Sequence, residues 1–210
     1  MSAQQVRSPG LAAGARRERA GIVAVAGLVI GGIALYLVLR ASGDGRDAQK
    51  NLLPYQVLAR SLPETEQQIF TGIRRGLLDA EAERGRLSHW PEPPLLADRG
   101  VLPFADRGNT ALRWQLFLAG KTVNYLGLPG DPSAAAWLLV VQEPEPNMPP
   151  DPAPLDDEHH RLPDGTRVHV YVWMHRYGGR VAPGFFAQPQ AQGWTQVFSV
   201  PPNPLFLPKL

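Results

Sequence analysis

Residues 166–175 read TRVHVYVWMH, and their alternation decides the fold class. Val168, Val170, Val172 and Met174 fall on one side of an extended chain; His169, Tyr171, Trp173 and His175 fall on the other. A period of two, with β-branched residues on one side, marks a strand that turns one face to a core. More strands are predicted around it. Residues 113–118 and 121–126 flank Ala119-Gly120 and read as a hairpin. Residues 135–142 are nearly all apolar, which suits a central strand. Residues 194–200 supply a possible fifth. Residues 143–165 form a long loop rich in proline and acid, and the tail 201–210, with four prolines, is expected to be extended.

Before the strands, residues 61–87 carry a helical pattern. Ser61 and Glu64 are spaced as a capping box, with Pro63 in the first turn, where a missing N–H does no harm. Ile69, Phe70, Ile73, Leu77 and Ala80 form one apolar stripe. Arg74, Arg75, Asp79, Glu81 and Glu83 are expected on a solvated face. Gly72 and Gly76 border the stripe, each costing about 1 kcal/mol against alanine. Close approach of a sheet or another helix would offset that. His89-Trp90-Pro91 ends the helix, and an irregular stretch follows. The reading is α+β: one amphipathic helix packed on a four- to five-stranded antiparallel sheet, within a domain of residues 61–200.

The N-terminal third reads differently. The run AGIVAVAGLVIGGIALYLVL opens at Ala20, closes at Leu39 and holds no charged residue. Twenty residues at about 1.5 Å each span about 30 Å, the thickness of a bilayer's hydrocarbon. A secretory signal would have a shorter apolar core, and Leu39-Arg40-Ala41 is a poor cleavage site, so an uncleaved transmembrane helix is expected. Arg7, Arg16, Arg17 and Arg19 precede the run. Arg40, Arg46 and Lys50 follow it, diluted by Asp44 and Asp47. That bias places the tail of residues 1–19 in the cytoplasm. It places the domain on the far side of a bacterial inner membrane, in the periplasm if the source is a Gram-negative bacterium. Residues 40–60 form a linker, with Gly43 and Gly45 as a flexible break and Pro54 beside a possible short helix. Gly27 and Gly31 make a GxxxG spacing through which two such helices could pair as a homodimer.

Composition excludes several function classes. The chain has 210 residues and no cysteine, so disulfides, thiolate metal sites and cysteine nucleophiles are ruled out. A formal net charge of +2 implies no broad field for nucleic acid. Ser61, Ser88, Ser133 and Ser199 sit in no GxSxG elbow. Gly178-Gly179 lies in a turn and not in a phosphate loop, and no carboxylate pair stands out. The chain is not read as an enzyme.

The chemistry that remains is histidine with carboxylate. Asp156-Asp157-Glu158-His159-His160 packs five candidate ligands into a loop that feeds the strand bearing His169 and His175. Such donors suit zinc, nickel or manganese, and Asp157, Glu158, His159, His160, His169 and His175 are the candidate ligands. The bland alternative is a solvated acidic loop with ordinary surface histidines, since no HExxH-type spacing is present. Tyr171 and Trp173, with Trp114 and Trp137, could line a binding surface or lie as core under the helix.

An apolar N-terminal helix before a sheet is similar to a type IV pilin. The run that opens at Arg19-Ala20-Gly21 lacks the glutamate a pilin carries five residues into its mature chain. Residues 62–90 and 156–174 resemble an uncharacterised family of proteobacterial single-pass proteins encoded beside metal-ion ABC transporters. That resemblance implies an accessory role in zinc or manganese uptake and assigns no site residues. The expectation is a membrane-anchored periplasmic accessory protein with a membrane or periplasmic protein partner. The alternatives are a scaffold subunit that binds another envelope protein, and an enzyme of unrecognised type.

Overall fold

The alternating stretch forms the strand Arg167–His175 in a computed structural model that describes residues 32–33, 52–108, 111–145 and 155–199. The chain divides into two compact units, Met1–Lys50 and Asn51–Leu210. In the first, only Gly32 and Ile33 are described, both helical and exposed. Among the described residues no helix is long and apolar enough to cross a membrane. The expected span of residues 20–39, apart from those two, lies outside them, as do the Gly27/Gly31 pairing and the tail 201–210.

The second unit runs β1 (Gln56–Leu58), α1 (Glu64–Leu87), α2 (Pro93–Asp98), β2 (Leu112–Ala119), β3 (Thr122–Pro129), β4 (Ala136–Gln142), β5 (His159–Arg161), β6 (Arg167–His175) and β7 (Thr195–Phe198). The strands make one seven-stranded sheet in the order β1-β7-β6-β4-β3-β2, with β5 paired to β6. All pairs are antiparallel except β1 with β7, which is parallel. The sheet is therefore mixed and has two or three more strands than expected. The extra strands, β1 and β5, are three residues each. A run that short shows no period, and only pairing with a longer neighbour defines it.

Other elements shift by small, explicable amounts. The two-residue loop of the first hairpin is Gly120-Lys121, because Ala119 pairs with Thr122. Gly120 takes φ +58°, as the first loop position of a type II′ turn requires. The capping box does not form. Residues Ala59–Ser61 wind into a 3₁₀ turn, and the Ser61 hydroxyl donates to Leu58 O at 2.7 Å. The helix starts after Pro63 with no side-chain cap. Residues 93–98, expected to be irregular, form α2, opened by Pro93 and Pro94 at positions that tolerate proline.

The sheet separates two apolar cores. On one face, Phe70, Ile73, Leu77 and Ala80 of α1 pack on Tyr125, Trp137, Leu139, Val141, Val170 and Val172. On the other, Leu126, Leu138, Val140 and Trp173 lie under Phe186 and Trp194. Central strand β4 supplies both, and six of its seven residues are buried. Trp173 therefore belongs to the core opposite the helix, while Trp114 and Trp137 belong to the helix side. The four aromatics do not share one face, because Trp114 and Trp137 sit on strand positions of the other parity. The cover on the second face is the segment 177–194. It is held where the Phe186 N–H donates to Asn124 Oδ1 at 2.9 Å, below a fully buried Asn124.

Candidate functional site

β5 is where the candidate ligands meet the sheet, and its register sorts them. His159 pairs with His169, His160 with Val168, and Arg161 with Arg167. Cross-strand partners share a face, so His159 and His169 lie together on the second face, ring centroids 4.9 Å apart and edge to face. His160 points the other way, under the helix. Its Nδ1 lies 2.6 Å from Glu81 Oε1, and both side chains are almost fully buried.

Asp156, Asp157 and Glu158 are each engaged. Asp156 Oδ1 accepts the backbone N–H groups of Glu158 and His159 at 2.8 and 2.9 Å and lies 2.7 Å from His159 Nδ1. Burial works to raise its pKa, but these hydrogen bonds outweigh it and hold the carboxyl below the usual range. Asp157 forms a 2.7 Å ion pair with Arg74 of α1. Glu158 sits where β5 gives way to β7: its carbonyl accepts the Val170 N–H at 2.8 Å and its carboxylate accepts from Gln196 Nε2 at 3.0 Å. Burial pushes the Glu158 carboxyl up to about 7. Asp156 and Asp157 add to the rise, and His159 and Arg74 oppose it. His175 is at the far end of β6, with Nδ1 2.9 Å from Tyr177 O and its ring against Trp194.

The six candidates thus spread over both faces and both ends of β6. Among the described residues, no group of three or more histidine or carboxylate side chains is placed to hold a metal ion. What converges is the His159–His169 pair, with Asp156 against His159. The helix supplies a feature the sequence reading missed. Glu81 and Glu83, expected on a solvated face, are both buried. Glu81 faces His160, and Glu83 is held by Arg86 at 2.7 Å and by Arg99. Glu81 lies four residues after Leu77, on the edge of the apolar stripe, and that spacing was the available signal.

The second face also carries a cleft of about 400 Å³. Val140 and Gln142 of β4, Tyr171 and Trp173 of β6 and Gln196 of β7 form its floor, and Phe185, Pro189 and Gln190 form a wall. Tyr55 stacks on Trp173 with centroids 6.2 Å apart and planes 22° from parallel. Gln196 accepts from Gln56 Nε2 at 3.3 Å and donates to Glu158, so this part of the floor is tied to the loop of candidate ligands. No lining residue is charged. Aromatic faces beside amide donors and acceptors suit an extended chain or a planar group, and no nucleophile with a base stands among them. Alternation in residues 166–175 exposes Tyr171 and Trp173 as a pair. Tyr55, Gln142 and Gln190 arrive from distant elements, so no local pattern announces them.

No curated protein and no solved structure gives a significant match to the chain. A model of DUF6162, a family of unknown function, matches residues 56–200, from the first residue of β1 to just beyond β7. The match covers the whole sheet and well over half of the sequence, and the chain belongs to the DUF6162 family.

Proposed function

We propose that this protein is a single-pass accessory protein of the bacterial envelope. Its N-terminus is cytoplasmic, its sheet domain periplasmic, and the domain acts by binding another envelope protein, not by catalysis. The cleft on the second face carries this reading. It is concave, uncharged and aromatic, and amides stand at its rim. The apolar run at residues 20–39 supplies the tether. A photo-crosslinking amino acid at Gln190 or Thr122, which line the cleft, should capture one envelope protein in native membranes. The same probe at the exposed Asp79 of α1 should not. Equal products from both faces, or none from either, would remove the reading.

A second reading, help in zinc or manganese uptake, is favoured by the 4.9 Å approach of the His159 and His169 rings. The carboxylate of Asp156 against Nδ1 of His159 is the kind of outer contact that orients a ligating imidazole. Two protein ligands make a labile site, which suits hand-over more than storage. Calorimetric titration of the full chain with zinc should give binding that His159→Ala and His169→Ala abolish and His160→Ala leaves in place. Affinity weaker than about 1 mM, or indifference to both substitutions, would sink it.

A further inference from the structure

We propose that β2 is the surface on which two copies of this chain join, their edge strands pairing antiparallel so that the two sheets run on as one. β2 ends the sheet, and among the described residues β3 is the only strand paired to it. The sheet's other end is β1, a strand of three residues. β2 has eight, in unbroken register with β3 from Leu112 opposite Pro129 to Ala119 opposite Thr122. It holds no proline and no lysine, and no bulge twists it aside. Those are the devices that keep a sheet edge from taking up another strand.

The hairpin fixes which backbone groups face outward. A two-residue loop closes on a hydrogen-bonded pair, here Ala119 with Thr122. Alternating back from it, Arg113, Gln115, Phe117 and Ala119 turn their N–H and C=O to β3, and Leu112, Trp114, Leu116 and Leu118 turn theirs outward. Among the described residues, no turn or loop backbone group bonds to those four. Trp114 and Leu116 rest against the core on the helix side, while Leu118 is 61% exposed.

The occupant follows from the side chains. A twofold axis through Gln115 sets Leu112 opposite Leu118 of the second copy and Trp114 opposite its Leu116. Each outward N–H of one copy then meets an outward C=O of the other. Apolar side chains meet on the helix side, and the exposed Leu118 is covered. On the other side Gln115 meets its own counterpart. Arg113, the strand's one charged residue, lies beside Phe117 of the second copy, and the two arginines stay apart. Sliding the register by two residues leaves one end of the strand overhanging. The strand is thus complementary to itself in the register that uses all its outward groups, as a twofold interface requires. This inference stands without the accessory reading.

With no native cysteine, single cysteines read the register. Across the axis the two Gln115 positions form a non-hydrogen-bonded pair, with Cα atoms about 4.5 Å apart, within reach of a disulfide. Arg113 and Gln115 are exposed, so cysteine at either should leave the fold intact. The full-length chain is oxidised mildly in detergent. Gln115→Cys is expected to form interchain disulfides at least tenfold faster than Asp79→Cys on α1. Arg113→Cys and Phe117→Cys should each cross-link slowly alone and at least tenfold faster when mixed. Adding Leu118→Lys to Gln115→Cys should slow its cross-linking about tenfold, because lysine protects an edge. Equal rates for Gln115→Cys and Asp79→Cys would overturn the proposal, since collision or pairing through another part of the chain gives no preference for β2. A mixture of Arg113→Cys with Phe117→Cys that is no faster than either alone would overturn it as well. So would Gln115→Cys in native membranes that captures a different protein and yields no product with itself, which would assign the edge to that protein's strand.

Discussion

Gly72 and Gly76 sit one turn apart on α1 and meet different neighbours. A Cβ on Gly76 would fall 2.0 Å from the backbone oxygen of Leu102, whereas one on Gly72 would find nothing nearer than Pro103 Cβ at 3.8 Å. Gly76→Ala should destabilise the fold by about 2–3 kcal/mol despite alanine's better helix propensity, because the crowding atom is backbone and cannot rotate away. Gly72→Ala should stabilise it by up to about 1 kcal/mol. Urea denaturation of the two variants checks both signs. The border glycines were legible in the sequence, and so was the idea that a close approach offsets them. Their neighbour was not, since the turn at 101–105 shows no period of its own.

Glu158 gives the residue scale its pH dependence. Its folded pKa, about 7, lies above the ordinary carboxylate value of 4.5. Between those values the folded chain holds a proton that the unfolded chain has lost, so this group's contribution to stability falls as pH rises from 4.5 to 7. Glu158→Gln keeps an acceptor for Gln196 and removes the titration. The variant should match the wild type near pH 4 and exceed it at pH 8 by about 1–2 kcal/mol, allowing for partial solvent screening. Thermal unfolding at the two pH values measures the difference, and a constant offset would contradict the assignment.

At the scale of elements, β5 is a three-residue strand that local propensity could not hold. It is fixed by β6 on one side and by α1 beneath it, through Arg74 to Asp157 and Glu81 to His160. The two adjacent histidines therefore do different work. His160→Ala strands a buried glutamate and should cost about 3 kcal/mol. His159→Ala, on the outer face, should cost about 1 kcal/mol or less. Chemical denaturation of the two variants decides whether register separates them this way. Parity in residues 166–175 was readable from sequence, and it placed His169 and Val168 on opposite faces correctly. The same parity for His159 and His160 needed β5 to be recognised as a strand. A run of Asp-Asp-Glu-His-His offers no period by which to see it. The Asn124–Phe186 contact that seats segment 177–194 joins residues 62 apart, and nothing local encodes it.

For the whole molecule, the α+β class and the helix across one face were legible, because a 24-residue amphipathic helix and long alternating strands carry their periods openly. The second core was not. It is built where an irregular, proline-containing segment folds back over the sheet, and only tertiary contact shows it. That segment turns a sheet face into a cleft, and the cleft is the surface on which the proposed envelope role depends. The absence of cysteine allows one experiment to test location and surface together. Single cysteines at Asp79, on the helix, and at Gln190, in the cleft, are exposed to a membrane-impermeant maleimide in intact spheroplasts and in purified full-length protein. The account predicts that Asp79→Cys labels fully in spheroplasts and that Gln190→Cys labels several-fold more slowly there than in the purified chain. Labelling of either site only after lysis, or equal rates for Gln190→Cys in both settings, would contradict it.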